Sequence, residues 1–152
     1  MPTWLLRRYA LVLASILALD WLSKLWARRL FGGVKTLLPG LIEIRVVRNT
    51  GVFQGVFAGP GSLSIILGVV MSAAFGALLC YFAWQTAPAK SMRHWTFACM
   101  IGGALANGLD RAVHGYVLDF LSIGPLGIYN LADFAVLAGA GLFVLDLWKK
   151  KR

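Results

Sequence analysis

Four apolar stretches dominate the chain, separated by shorter segments rich in polar and charged residues. The four stretches are Tyr9–Leu30, Leu63–Trp84, Trp95–Leu109 and Tyr129–Trp148. At about 1.5 Å per residue the second stretch measures roughly 33 Å as a helix, enough to cross the hydrocarbon core of a bilayer. The third is shorter and rich in Gly and Ala, which permit close contact between membrane helices. The pattern predicts a mainly α-helical membrane protein with four transmembrane helices.

The segments that connect these helices carry a second pattern, with a period of two residues. Leu41–Val46 alternates apolar and charged side chains, as a strand does when one face is buried. Val34–Leu38 can pair with it across the turn Pro39-Gly40, and Tyr116–Ile123 is also rich in strand-forming residues. We therefore predict a small β-sheet outside the membrane, next to the four helices.

Composition narrows the class of protein. Of the 152 residues, 59% are hydrophobic, and the mean hydropathy of +0.75 is too high for a soluble domain of this size. A single domain covering residues 1–152 is the natural organisation for this length. Arg7 and Arg8 precede the first apolar stretch, as in a signal peptide. No small-residue cleavage site follows, so we expect an uncleaved first span.

The net charge of +9 does not indicate nucleic-acid binding, because the basic residues do not form one stripe with interleaved aromatic residues. They lie at the ends of the apolar stretches, as is usual in proteins that face anionic lipid. The cluster Lys149–Arg152 follows the last stretch and tips the balance of positive charge to that side. With four spans, both termini are predicted to be cytoplasmic.

Two aspartates, Asp119 and Asp133, flank one short loop just before and inside the last apolar stretch. A charge at the bilayer centre costs roughly 2.5–3.5 kcal/mol, so carboxylates without a neighbouring cation indicate function. Two such carboxyls that meet would share one proton and could activate water for attack on an amide. Asn130 projects from the same helical face as Asp133 and could hold a carboxyl or a substrate carbonyl. Alternatively, each aspartate makes a structural hydrogen bond or caps a helix.

Further polar residues interrupt the first and third stretches. Asp20 and Lys24 are one helical turn apart, and we interpret them as an ion pair. Asp110 and Arg111 most simply form another pair that closes the third helix, with Asn107 on the same face as Asp110. No Cys or His cluster has the spacing of metal ligands, so the sequence predicts no metal site.

The order of these motifs along nearly the whole chain resembles that of the lipoprotein signal peptidases (signal peptidase II), the membrane aspartic peptidases of bacteria. The resemblance is carried by five stretches: Asp20–Lys24, Asn49–Gly51, Gly102–Arg111, Tyr116–Phe120 and Tyr129–Asp133. A three-residue stretch, one further position and one loop length depart from the family pattern. Val52-Phe53-Gln54 replaces small residues followed by an aromatic, Phe134 replaces a small or hydroxyl residue, and the loop between the aspartates is short. These departures concern the shape of the substrate channel.

The resemblance implies an aspartic endopeptidase of the bacterial cytoplasmic (inner) membrane, with four transmembrane helices, an outer β-cradle and an active site near the outer face. It would remove the signal peptide from diacylglyceryl-modified prolipoproteins by cutting just before the lipidated cysteine, with Asp119 and Asp133 as the catalytic pair. The residues that would bind substrate or support this pair are Asp20, Lys24, Asn49, Asn107, Asp110, Arg111 and Asn130. The family needs no metal or cofactor. Membrane lipid and globomycin-type inhibitors are the other expected ligands, and we expect a monomer.

Three other functions fit parts of the pattern. Intramembrane carboxylates also mark ion paths, so a small proton- or cation-coupled transporter is one alternative. A transporter would distribute its carboxylates along the membrane depth or contain inverted repeats, whereas most candidates here lie at one face. The others are a non-catalytic family member and a scaffold whose polar residues only join helices.

Overall fold

The computed structural model describes residues 3–30, 33–51, 62–86 and 93–150. Within these ranges the helices are α1 (Thr3–Leu30), α2 (Ser62–Thr86), α3 (Arg93–His114) and α4 (Leu131–Lys150). The strands are β1 (Lys35–Leu38), β2 (Ile42–Asn49), β3 (Val117–Ile123) and β4 (Ile128–Tyr129). The fold is therefore mainly helical with one small sheet, as predicted. The departure at Val52-Phe53-Gln54 lies outside the described residues.

Three of these helices are long and apolar enough to cross a membrane. Their candidate spans are Arg7–Leu30, Leu63–Phe82 and Leu131–Lys149. Large apolar side chains remain exposed along all three, among them Leu19, Val70 and Val144. In water such surfaces would be unfavourable, whereas a bilayer solvates them.

Helix α3 lies at the centre of the bundle and packs against α1, α2 and α4. Its glycines make this possible because there is no room for a side chain at the contacts. A Cβ on Gly102 would lie 2.8 Å from Ile16 of α1, and one on Gly103 would overlap the carbonyl oxygen of Ala132 in α4. The predicted role of the small residues is confirmed.

Helix α3 ends at His114, later than the predicted end at Leu109. The charged residues that follow Leu109 do not end the helix, because their side chains are satisfied by other elements. The end comes at Gly115, whose φ of 78° is left-handed and whose N–H donates to the carbonyl of Arg111 at 2.9 Å. This is a common glycine C-cap.

The sheet is antiparallel with strand order β1-β2-β3-β4. The three predicted strands are present, and β1 and β2 are joined at Pro39-Gly40, where the N–H of Leu41 donates to Leu38 O at 3.0 Å. The last apolar stretch begins differently from the prediction, because Tyr129 belongs to β4 and α4 starts two residues later. A strand of two residues is too short to show a period in the sequence.

The contact between α3 and α4 provides a first test. Gly103→Ala should lower the free energy of unfolding by about 1–3 kcal/mol, because the backbone of Ala132 can yield only if the helices separate. The matched control is Gly141→Ala, since a Cβ there meets nothing within 4 Å. We expect that change to be neutral or slightly stabilising. Thermal unfolding in detergent compares the two, and equal melting temperatures would contradict the close packing.

Candidate active site

A hairpin brings together the two aspartates that the sequence singles out. Asp119 lies on β3 and Asp133 in the first turn of α4. Between them the chain turns back through a 3₁₀ turn (Gly124–Leu126), closed by a 2.8 Å hydrogen bond from the N–H of Ile123 to the carbonyl of Gly127. Both aspartates consequently line one cavity of about 470 Å³.

Asn130 is fully buried and caps the N-terminus of α4. Its Oδ1 accepts the backbone N–H of Asp133 at 2.9 Å, and Asp133 Oδ2 accepts the backbone N–H of Asn130 at 3.0 Å. This reciprocal arrangement is a capping box, with Asp in the position where Glu or Gln is more usual. Asp133 therefore does cap a helix, as the alternative interpretation holds. Capping uses only Oδ2 of Asp133 and leaves Oδ1 for other contacts.

The side-chain nitrogen of Asn130 connects this cap to the other aspartate. It donates to Asp119 Oδ1 at 2.6 Å and to Asn107 Oδ1 at 3.1 Å. The nitrogen of Asn107 then donates to Asp133 Oδ1 at 2.8 Å. Two amides, one from α3 and one before α4, thus hold the carboxyls in a fixed relation to each other.

Asn49, the last residue of β2, completes the set. Its Oδ1 accepts the backbone N–H of Gly51 at 3.0 Å, which turns its nitrogen toward Asp119 Oδ2 at 2.9 Å. The neighbouring strands make this contact possible, because Asn49 is paired with Val117, two residues before Asp119 and on the same side of the sheet. Each of the four carboxyl oxygens of the two aspartates therefore accepts one hydrogen bond.

The environment of Asp119 favours its protonated form. Its side chain is 4% exposed, and burial is the main reason that its pKa rises to about 6. The hydrogen bond from Asn49 opposes this rise, and the nearby carboxyl of Asp133 adds to it. Two carboxyls in one cavity, one with a pKa near neutrality, can hold a shared proton.

A buried lysine ties the site to the first helix. Lys24 Nζ lies 2.6 Å from Asp20 Oδ2 and 2.7 Å from Asp110 Oδ2, the second contact being an ion pair without hydrogen-bond alignment. The other oxygen of Asp20 accepts the backbone N–H of Ala132 at 2.9 Å, next to Asp133. The predicted pair of Asp20 and Lys24 is confirmed, and it joins α1, α3 and the start of α4.

The ion pair predicted between Asp110 and Arg111 is wrong. Adjacent residues on a helix do not face each other, so the two side chains meet different partners. Asp110 pairs with Lys24, and its other oxygen lies 3.6 Å from Nδ1 of the exposed His114. Asp110 therefore belongs to the contacts between helices and not to a helix end.

Arg111 is turned toward the cavity instead. Its Nη2 donates to the carbonyl of Gly51 at 2.8 Å and its Nη1 to the carbonyl of Asn107 at 3.2 Å. The side chain lies across Gly68 of α2, where a Cβ would come within 2.6 Å of its Cδ. The sequence gives no signal for this role of Gly68, since the contact depends on two helices meeting.

The cavity combines these polar groups with an apolar wall. Seven apolar residues from α2, α3, α4 and the sheet contribute to its lining: Met71, Phe75, Ala104, Val117, Ile128, Val136 and Leu137. Sequence reasoning did not identify them, because membrane-facing and cavity-facing apolar residues look alike in a sequence. Among the described residues, no group of three or more His, Cys, Asp or Glu could hold a metal ion. The arrangement can place an apolar ligand beside two carboxyls.

Comparison with known proteins identifies a family that this chain matches. The sequence model described as signal peptidase (SPase) II matches residues 12–149. A lipoprotein signal peptidase of Caldicellulosiruptor bescii is 29% identical over 143 residues, which cover 93% of this chain and 91% of the relative. The lipoprotein signal peptidase of Brucella ovis is 33% identical over 136 residues, covering 83% and 81% of the two chains.

Solved structures agree with the fold. A bacterial membrane enzyme determined by the in meso method at 2.3 Å resolution superposes with a TM-score of 0.79. It is 23% identical, and the match covers 95% of this chain and 89% of that one. At this identity the likeness supports the arrangement of helices and sheet, and nothing beyond the fold.

The buried lysine provides a second test. Lys24→Met should lower the free energy of unfolding by about 3–5 kcal/mol, because it leaves the buried carboxylate of Asp20 and the half-buried one of Asp110 without their cation. Arg29→Met is the matched control, since Arg29 is an exposed cation on the same helix and should change stability by no more than about 0.5 kcal/mol. Thermal unfolding in detergent measures both. A Lys24→Met variant that melts with the parent would show that this pairing does not stabilise the bundle.

Proposed function

The chain belongs to the signal peptidase II family, and on that premise we propose that it is an aspartic endopeptidase with Asp119 and Asp133 as its catalytic pair. As a family member it is a membrane peptidase that removes signal peptides from prolipoproteins. The observation that supports the aspartic mechanism is the connection of a buried carboxyl, Asp119, with a half-buried one, Asp133, through Asn130 beside one cavity. The comparisons give no support to a transporter.

The chemistry follows from one proton shared by two carboxyls. The ionised carboxyl accepts a proton from water while the protonated carboxyl donates one to the carbonyl oxygen of the scissile peptide. The tetrahedral intermediate then collapses, and a carboxyl returns a proton to the departing amine. Asp119, with a pKa of about 6, can hold the shared proton near neutral pH. The amides of Asn49, Asn107 and Asn130 keep the oxygens in place throughout.

The cavity accounts for the choice of substrate. Its apolar wall suits the acyl chains of a diacylglyceryl group, and the two carboxyls line the same cavity. We propose that the bond cut is the one just before this cysteine. The guanidinium of Arg111, one of the cavity-lining groups, is placed to bind a peptide carbonyl. Asp20, Lys24 and Asp110 act indirectly, by holding α1, α3 and α4 together around the site.

We further propose that α3 is a fourth transmembrane helix. Its 22 residues rise roughly 33 Å. Leu105, Leu109 and Val113 are exposed at four-residue spacing and form one apolar stripe, whereas Asn107 and Arg111 are turned inward to partners. The polar residues lower the hydropathy of α3 without facing lipid. Four spans would put both termini on the same side. Because the basic cluster Lys149–Arg152 follows the last span, we propose that this side is the cytoplasm and that the sheet and active site lie at the outer face of a bacterial inner membrane.

The remaining ligands follow from the same site. A globomycin-type cyclic peptide would bind in the cavity against the two carboxyls. All the described residues that line the cavity belong to one chain, which supports a monomer as the working unit.

Substitution of the carboxyls tests the mechanism. Asp119→Asn and Asp133→Asn should each reduce cleavage at least about a hundredfold, because an amide neither ionises nor exchanges a proton. Asp146→Asn, the same change elsewhere on α4, should leave cleavage unchanged. The assay is a gel shift of a diacylglyceryl-modified prolipoprotein in detergent, with thermal unfolding to show that each variant is folded. Substantial cleavage by either folded site variant would exclude the proposed pair.

The pH dependence of cleavage tests whether the two carboxyls share one proton. If the pair must carry one proton, kcat/KM should fall as the pH rises through about 6, where the free enzyme loses it. Asn49→Leu removes a hydrogen bond that favours the ionised form of Asp119, so the pKa rises and the falling limb should move to higher pH. A limb at the same pH in the parent and the Asn49→Leu variant would contradict this role of Asp119.

A further inference from the structure

A group of cationic side chains surrounds one tyrosine ring near the outer end of the bundle. We call it the Tyr116 cluster; it consists of Tyr116, Arg28, Arg48 and His114. Arg28 Nη2 donates to the hydroxyl of Tyr116 at 2.8 Å, and its Cζ lies 5.8 Å from the ring centre. The Cζ of Arg48 lies 5.1 Å from the same centre, and the His114 ring 6.0 Å. Two elements, α1 and β2, thus bring positive charge to one point, and the end of α3 adds an imidazole ring.

This cluster is separate from the cavity. Arg48 and Asn49 are neighbours on β2, so their side chains point to opposite faces of the sheet. Asn49 lines the cavity, whereas Arg48 is exposed. None of the four cluster residues lines the cavity.

Within the described part of the chain, carboxylates do not balance the positive charge of the two arginines. Among the described residues, neither Arg28 nor Arg48 forms an ion pair with an acidic side chain. His114 Nδ1 lies 3.6 Å from Asp110 Oδ1, but Asp110 is already paired with Lys24 through its other oxygen. Two guanidinium groups held at one ring repel each other, and an anion bound between them would remove that repulsion.

The chemistry of the cluster favours a phosphate group. Guanidinium groups match the spacing of phosphate oxygens and bind them with charge-assisted hydrogen bonds. The hydroxyl of Tyr116 accepts a hydrogen bond from Arg28, which leaves its own hydrogen available to a phosphate oxygen.

The position of the cluster identifies the source of the phosphate. Arg28 lies in the last turn of α1, within the candidate span Arg7–Leu30, so the cluster is at the boundary between hydrocarbon and water. At a similar depth along the bundle, Trp26 and Leu30 on α1 and Val113 on α3 expose apolar surface, with Val113 74% exposed. A lipid places its phosphate at this depth and its acyl chains along such a surface.

We propose that the Tyr116 cluster is a binding site for the phosphodiester headgroup of an anionic phospholipid. Arg28 and Arg48 bind the phosphate oxygens and Tyr116 donates its hydroxyl hydrogen. The acyl chains lie on the exposed apolar side chains of α1 and α3. The site does not depend on the peptidase activity, and the lipid is a structural ligand beside the active site and not a substrate.

The test uses two double variants of the full chain with the same change in net charge. Arg28→Gln/Arg48→Gln removes the cations at the ring. Arg29→Gln/Arg45→Gln removes one exposed cation from each of the same two elements, α1 and β2, but away from the ring. The delipidated protein in detergent is titrated with fluorescent phosphatidylglycerol, and separately with phosphatidylcholine. Thermal unfolding shows whether each variant is folded.

We expect the parent to prefer phosphatidylglycerol to phosphatidylcholine, and the Arg28/Arg48 variant to bind phosphatidylglycerol on the order of tenfold more weakly. The Arg29/Arg45 control should change this affinity less than about twofold. Equal weakening in both double variants would mean general attraction to basic residues and would overturn the site. So would an equal affinity of the parent for the two lipids.

Two further measurements keep the result decisive. Tyr116→Phe retains the ring and removes only the hydroxyl, so it should weaken binding even if the double variant does not fold; unchanged binding would count against the site. Inorganic phosphate at equal concentration should not displace the labelled lipid, because it lacks acyl chains. Displacement would identify a site for free phosphate and overturn the lipid assignment.

Discussion

Two backbone N–H groups, those of Gly51 and Asp133, determine the orientation of the whole site. Each donates to the oxygen of a neighbouring asparagine, so the nitrogen of that amide must point the other way, toward Asp119. The nitrogen of Asn130 also donates to Oδ1 of Asn107. Because the oxygen of Asn107 is used in this way, its nitrogen points toward Asp133. The polarity of three amides, and through them of two carboxyls, is thus set by the main chain.

This dependence explains why the N-terminus of α4 is joined to so many elements. The first N–H groups of a helix have no partners within it, and here side chains of α1 and of the preceding segment supply them. The carboxylate of Asp20 accepts the N–H of Ala132, and the side-chain oxygen of Asn130 accepts the N–H of Asp133. Lys24 then offsets the charge of Asp20 and attaches it to α3. The polar contacts that close the bundle and those that orient the carboxyls are therefore one continuous network.

Contacts between residues close together in the sequence could be predicted, whereas contacts between residues far apart in the sequence could not. The pairing of Asp20 with Lys24 follows from one helical turn, and the strands β1 and β2 follow from alternation around a Pro-Gly turn. The second partner of Lys24 is Asp110, far along the chain, and no periodic pattern links them. The candidate residues chosen from the sequence all lie around the site or in the contacts that hold it. They could be recognised because an apolar chain contains few polar residues that are candidates for burial. Their partners depend on how the helices pack.

The double use of Asp133, as helix cap and as cavity carboxyl, bears on how such an enzyme could escape an inhibitor. A compound anchored on Asp133 and Asn107 touches atoms that also hold helices together, so substitutions there weaken the fold as well as the contact. The apolar wall is under no such constraint, since residues such as Phe75 and Leu137 are exposed and can be exchanged for other apolar residues. Resistance is therefore expected to arise in the wall, and compounds that avoid it would be the harder ones to evade.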